Sequence, residues 1–187
     1  MSYKEIELPE ELRKSLQEIF GVPGSGPGTL GDFARNYPRV VGVPEPEAFL
    51  SQEPTLHEVR VKGRTLYTHC FIDALMLPFM LRTEPVEIRS ESPVSGETIM
   101  ALATRQTVES SSQSAVMSFG AARVVRDAIQ GVVCPYINAF VSQAEYGRWE
   151  AQTPHAVTVA LPLPEAFAFA RDMIGELTVP EGWGAAL

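Results

Sequence analysis

Cysteine is scarce in this chain, with two residues in 187, Cys70 and Cys134. Two cysteines cannot build the disulfide framework of a small secreted domain, and in a reducing compartment they read as free thiols. Histidine is also rare. His57, His69 and His155 stand at no spacing from the cysteines that a structural zinc site uses. Basic residues are outnumbered, 15 Lys and Arg against 23 Asp and Glu, and the net charge of −8 disfavours a nucleic-acid partner. It leaves room for a cationic substrate or a metal ion. No uninterrupted apolar run approaches the ~20 residues that cross a bilayer. The opening Met1-Ser-Tyr-Lys-Glu-Ile-Glu7 lacks the apolar core of a signal peptide. We therefore expect a cytoplasmic protein with no membrane partner. Its composition, 45% hydrophobic and 20% charged, is that of a soluble globular chain long enough for one full domain, with room for a small subdomain.

The informative stretch is Leu66-Tyr-Thr-His-Cys-Phe-Ile-Asp-Ala-Leu-Met-Leu-Pro-Phe-Met-Leu81. If Cys70 opens a helix, Asp73 lies one turn on and on the same face. Leu77 and Met80 or Leu81 then follow on that side and set the pair against the core. A carboxylate among Phe71, Ile72, Leu75 and Leu77 needs a partner, because a lone buried charge is costly. The Cys70 thiol is the natural one.

Along the chain, Leu8-Pro-Glu-Glu-Leu12 opens an amphipathic helix whose stripe is Leu12, Leu16, Ile19 and Phe20, stopped by Gly21. The loop Val22–Gly31 is glycine-rich but lacks the Gly-Lys-Ser/Thr ending and preceding strand of a phosphate loop. Leu30–Tyr37 reads as a short helix before Pro38, and four prolines over residues 38–56 argue against long regular elements. His57–Tyr67 alternates and turns at Lys62-Gly63, which predicts a hairpin. The Cys70 helix should end or kink near Pro78. Val86–Glu91 and Thr98–Ala103 read as strands joined by a turn at Pro93–Gly96, Glu109–Ser114 as an exposed loop, and Ala115–Phe119 as a strand. Ala121–Ile129 reads as a helix and Pro135–Ser142 as a buried strand after Cys134. Glu145–Gln152 suits a helix carrying Trp149, Val157–Leu161 a strand, and Pro164–Ile174 a helix, before an irregular tail over Val179–Leu187. This order points to an α+β fold of small mixed or antiparallel sheets flanked by helices. Residues 1–55 form a helical, Pro/Gly-rich N-terminal region, and residues 56–187 the remainder.

Leu66-Tyr67-x-x-Cys70-x-x-Asp73-x-Leu75, with Pro78 beyond, resembles the catalytic segment of organomercurial (alkylmercury) lyases. The resemblance continues through Ser95-Gly96, Cys134, Phe140-Val-Ser142, Trp149 and Glu165-Ala166-Phe167, over roughly residues 56–170. It implies an organomercurial-lyase-like fold and catalytic domain over residues 56–187, with residues 1–55 as a reduced winged-helix-like subdomain. It implies an enzyme of mercury detoxification that cleaves carbon–mercury bonds by protonolysis. Its catalytic positions would be Cys70, Asp73 and Cys134, the same three residues holding mercury(II) transiently. Tyr67 and His69 would line the pocket. It implies no tightly bound cofactor, with small external thiols, or a mercuric reductase, accepting the metal. Three features depart from the family. His69 stands at an aromatic site of the family, the N-terminal region is shorter, and Pro135-Tyr136-Ile137-Asn138 replaces a histidine-rich run.

The chemistry agrees with that assignment. Mercury(II) is soft and prefers thiolate ligands. A nearby base or helix N-terminus is needed to help Cys70 ionise. An apolar surrounding would raise the pKa of Asp73 and make it a proton carrier. The alternatives are a non-catalytic thiol module that binds a soft metal or another ligand, and a thiol redox pair. Trp149, Phe140 and Phe167 read as packing residues, Glu165 as a helix first-turn acid, and His69 as pointing away from the Cys70–Asp73 face.

Overall fold

In a computed structural model, described here over residues 2–21, 24, 26–42, 46–81, 85–124 and 128–174, the chain folds as α+β with two antiparallel sheets. The irregular tail expected over 179–187 lies outside the described residues.

Helix α1 (Glu10–Phe20) carries Glu10 and Glu11 in its first turn, where acids complement the helix dipole, and buries Leu12, Ser15 and Leu16. Helix α2 (Leu30–Val41) opens with a complete capping box. The Thr29 hydroxyl accepts from the Asp32 amide, and the Asp32 carboxylate accepts from the Thr29 amide. The expected stop at Pro38 is not observed. The helix continues past it to Val41, leaving the Ala34 carbonyl without its usual i+4 amide.

The larger sheet has the order β1-β3-β2-β4-β5-β6, built from β1 (Leu50–Ser51), β2 (His57–Val61), β3 (Arg64–Thr68), β4 (Val86–Glu91), β5 (Thr98–Ala103) and β6 (Val108–Ser110). The β2–β3 hairpin turns at Lys62 and Gly63, both at positive φ (50° and 78°), as a two-residue turn between twisted strands requires. In β4 and β5 buried and accessible positions alternate, so Val86, Ile88, Ser90, Ile99, Ala101 and Ala103 face inward. Part of the expected Glu109–Ser114 loop is the edge strand β6.

Helix α3 (Phe71–Leu81) covers the inner face of this sheet. Ten of its eleven residues are buried, so it is apolar all round rather than amphipathic. Pro78 neither ends it nor prevents the turn that follows. Beyond α3 lies α6 (Leu163–Ile174), which also packs on α2 and on the second sheet, order β8-β7-β9. That sheet comprises β7 (Val116–Ala122), β8 (Ala139–Phe140) and β9 (Ala156–Pro162). Phe119 and Phe169 meet edge to face at 5.0 Å where α6 crosses β7.

Two expectations fail around β7. The strand runs through Ala121 to Ala122, so Ala121–Ile129 is not a helix; only α4 (Ile129–Val132) is helical there, and residues 125–127 lie outside the description. Nor is Pro135–Ser142 a continuous strand. Cys134–Tyr136 is a 3-10 turn, and only Ala139–Phe140 pairs with β7. Pro135 has no amide for a ladder, and Asn138 spends its side chain on the Pro135 carbonyl (2.9 Å). Helix α5 (Gln143–Ala151) follows, capped by the Ser142 hydroxyl. No helix among the described residues is long and apolar enough to cross a membrane.

Candidate functional site

The site begins where β3 hands over to α3. The Thr68 carbonyl accepts from the Thr55 hydroxyl (2.8 Å), and the Thr68 hydroxyl donates to the Cys70 carbonyl (3.0 Å). The His69 amide bonds to the Phe49 carbonyl (3.3 Å). Cys70 thus occupies the N-cap position of α3, its carbonyl accepting from the Ala74 amide at 3.4 Å. A helix start leaves amides without intrahelical partners. Asp73 satisfies one, because its Oδ2 accepts from the Cys70 amide at 3.2 Å, and the same oxygen takes the Cys70 thiol at 3.2 Å. The Phe71 amide goes to the Ile137 carbonyl at 3.1 Å, a bond across the fold to the segment that carries Cys134.

Cys134 stands at the start of its 3-10 turn, after α4. Ser118, fully buried on β7, holds this turn. Its hydroxyl donates to the Tyr136 carbonyl (2.8 Å) and accepts from the Asn138 amide (3.0 Å), and its own amide bonds the Asn138 carbonyl (3.0 Å). The ligand atoms of Cys70, Asp73 and Cys134 consequently lie within 4.8 Å of one another. Cys70 and Asp73 are buried, Cys134 only partly, and neither cysteine is in a disulfide.

Burial dominates the electrostatics. It pushes the Asp73 carboxyl up to about 7, against the opposing pull of the Cys70 hydrogen bonds. Burial also pushes the Cys70 thiol well above its ordinary value, with the Cys134 hydrogen bond and the Asp73 and Cys134 charges acting in the same sense. Proximity to a helix start does not ionise Cys70; in the resting site it is a thiol donating to Asp73. The cluster can therefore store protons, and it offers two sulfurs and one oxygen to a soft cation.

Tyr67 and His69 are half-buried, and neither side chain hydrogen-bonds to the three residues among those described. His57 is buried on β2, its Nδ1 within 2.8 Å of Ser90 Oγ and its ring 5.9 Å from Phe71; burial pushes its pKa down to about 4. It supports the floor under α3. Trp149 and Phe140 belong to an aromatic cluster with Tyr146, and Phe167 packs on Phe79 at 5.1 Å. The Glu165 carboxylate accepts from the Tyr3 amide and ties down the N-terminus.

Sequence reasoning passed over two contributors. Ser118 lies in an apolar run without a signal of its own. Tyr37 sits in the proline-rich region, and Asp73, Cys70 and Cys134 all act electrostatically on its phenol.

The chain is similar to known proteins. An alkylmercury lyase of Streptomyces lividans is 27% identical over 128 residues, 66% of this chain and 56% of the relative, so the chain spans little more than half the length of the curated protein it matches. A solved structure, described as the mercury-bound form of MerB2, shares the fold with a TM-score of 0.55 at 21% identity, over 89% of this chain and 91% of that one. The family model described as alkylmercury lyase matches residues 50–175, and the chain belongs to that family.

Proposed function

We propose that the protein is a carbon–mercury lyase that converts R–Hg⁺ to R–H and mercury(II). The observation that carries this reading is the convergence of two free thiols and one proton-holding carboxyl within 4.8 Å, in a family of alkylmercury lyases.

The organomercurial cation exchanges its weak ligands for one sulfur, releasing that thiol's proton to solvent. The second thiol gives its proton to Asp73 as its sulfur joins the metal. Two sulfur donors raise electron density on the mercury-bound carbon, and Asp73 delivers the proton to that carbon as the carbon–mercury bond breaks. Overall, R–Hg⁺ and two thiols give R–H, a dithiolate-bound mercury(II) and one proton. Small external thiols then exchange the metal away, or a mercuric reductase receives it. Asp73 suits this role because burial holds its carboxyl near 7, where it both accepts and returns a proton at neutral pH. The buried surroundings keep competing water from the carbon. Cys70, Asp73 and Cys134 are the proposed catalytic and mercury-holding residues, and no resident cofactor is needed.

A thiol module that only sequesters soft metals would need the sulfurs but not the acid. Purified protein with excess thiol should release benzene from phenylmercury. No hydrocarbon from any aryl- or alkylmercury, despite stoichiometric mercury binding, would replace the lyase reading with the binding one.

A further inference from the structure

Three cations gather where the N-terminal region meets α6. There a cavity of about 420 Å³ is lined by Tyr3, Lys4, Ala34, Arg35, Arg171 and Asp172, and by none of Cys70, Asp73 and Cys134. Tyr3 and Lys4 belong to a short 3-10 turn (Tyr3–Glu5), Ala34 and Arg35 to α2, and Arg171 and Asp172 to the end of α6. Segments far apart in sequence therefore close one cleft, and ligand sites favour junctions of this kind. Its floor is firmly held. Tyr3 and Ala34 are buried, the Tyr3 ring packs on Phe169 at 5.4 Å, and the Tyr3 hydroxyl donates to Asp172 Oδ2. Gly31 lets the turn rest directly on α2, since a Cβ there would meet the Lys4 carbonyl at 2.9 Å.

The charge of the lining is one-sided. Lys4, Arg35 and Arg171 stand against a single carboxylate, Asp172. That carboxylate already takes the Tyr3 hydroxyl, Lys4 Nζ at 3.1 Å and Arg171 Nε at 3.1 Å. Burial disfavours its charge, but the bonds from Tyr3, Arg171 and Lys4 prevail and hold its pKa below the usual carboxylate value. Two cations thus share one anion. Arg35 pairs with Asp32 Oδ1 at 3.4 Å, while the other oxygen of Asp32 accepts from the Thr29 amide. Glu165, the other acid of α6 near the turn, is committed to the Tyr3 amide. The three cationic side chains keep half or more of their surface in solvent, and ion pairs so exposed contribute little, so they exchange partners readily. In a chain of net charge −8, a cleft lined three to one by cations is a local inversion whose complement is an anion.

We propose that this cleft binds a small organic anion, a carboxylate or a phosphate monoester, whose oxygens Arg35, Arg171 and Lys4 hold while its body lies beside Tyr3 and Ala34. A guanidinium offers paired N–H donors in a fork that matches such oxygens. The cavity volume falls in the range of roughly 300–1,000 Å³ that small-molecule ligands occupy. The site is separate from the cysteine cluster, and it does not rest on the lyase reading. A bound anion would join the Tyr3–Glu5 turn, α2 and α6 through one set of contacts, so it stabilises the folded chain by mass action.

The test is binding to the full chain, read by thermal unfolding and by titration calorimetry. Phenyl phosphate and benzoate serve as probes, each compared with chloride at equal ionic strength. At least one should raise the Tm saturably and bind one to one, and the tighter of the two identifies the head group as phosphate or carboxylate. Arg35→Gln removes an exposed fork of donors without touching the Tyr3–Asp172 floor, and it should weaken that binding by about tenfold or more. Arg171→Gln should act in the same sense. Arg148→Gln, an equally exposed arginine on α5 outside the cleft, should leave the affinity unchanged. A Tm that follows ionic strength alone, with no saturable response to either probe, would overturn the assignment. So would equal weakening by Arg35→Gln and Arg148→Gln. Hydrocarbon release plays no part in these readouts, so the lyase reading stands or falls separately.

Discussion

The amide and the thiol of Cys70 both address a single atom, Oδ2 of Asp73, at 3.2 Å each. One carboxylate thus caps the helix on which the cysteine sits and, in the proposed reaction, carries the proton. Removing it should separate catalysis from binding. In Asp73→Ala, hydrocarbon release from phenylmercury should fall roughly 10²–10⁴-fold, the usual worth of a positioned general acid. Mercury(II) binding, followed by the sulfur-to-mercury ultraviolet band, should stay stoichiometric. Asp73→Asn keeps an oxygen to accept the Cys70 amide, so it should be more stable than Asp73→Ala and equally slow.

Proton binding by Asp73 and His57 should have opposite effects on stability in overlapping pH ranges. Asp73 has its pKa raised from 3.8 to about 7, so the folded state holds a proton the unfolded state loses, and stability declines as pH rises through that interval. His57 has its pKa lowered from 6.5 to about 4, so the unfolded state takes a proton the folded state refuses, and stability declines as pH falls through that interval. The two slopes offset each other. Denaturant titrations between pH 4 and 6.5 should show a shallow profile for the unaltered protein. Asp73→Asn should show stability rising with pH, and a neutral His57 substitution stability falling with pH. Parallel profiles would refute these assignments. Turnover should also decline as pH falls below about 7, where Asp73 already holds a proton and cannot take that of the second thiol.

Ser118 should matter more than its size suggests, since it fastens the turn bearing Cys134 through its hydroxyl to both Tyr136 and Asn138. Ser118→Ala leaves these buried backbone groups without a partner, at a cost of about 1–3 kcal/mol. Thermal unfolding should register that loss. Small thiols should strip mercury(II) from the variant more readily than from the parent, while alkylation of Cys70 in the unfolded chain stays unchanged.

Gly120 should tolerate no side chain. A Cβ there would meet Thr158 Cγ2 and the Val157 carbonyl at 2.4 Å, contacts the paired strands β7 and β9 cannot relieve without parting. Overpacking of this kind costs typically about 1–3 kcal/mol or more. Gly120→Ala should lower the urea midpoint accordingly, with Gly147→Ala, where a Cβ meets nothing within 4 Å, as the mild control.

Much of the architecture was legible in local chemistry. Lys62-Gly63 between alternating segments announces its hairpin, and the spacing of Cys70 and Asp73 announces one helical face. The failures share a physical cause. Strand β7 is buried over almost its whole length, so apart from Ser118 it lacks the alternation of a half-exposed strand, and local periodicity does not separate its end at Ala121 from a helix. Pro38 and Pro78 remove one hydrogen bond each, but packing around α2 and α3 carries both helices past them. The segment after Cys134 is apolar like a strand, yet Pro135 and Asn138 commit it to a turn. Tyr37 was out of reach because the groups that act on it electrostatically, Asp73, Cys70 and Cys134, lie far from it in sequence.

The bond from the Phe71 amide to the Ile137 carbonyl has a last consequence. It registers the two cysteine-bearing stretches to each other peptide to peptide, so the gap between the sulfurs is set locally, as by a gauge block. Substitutions that nudge distant helices should leave that gap unaltered, whereas a single residue inserted between Cys134 and Ile137 should detune it at once.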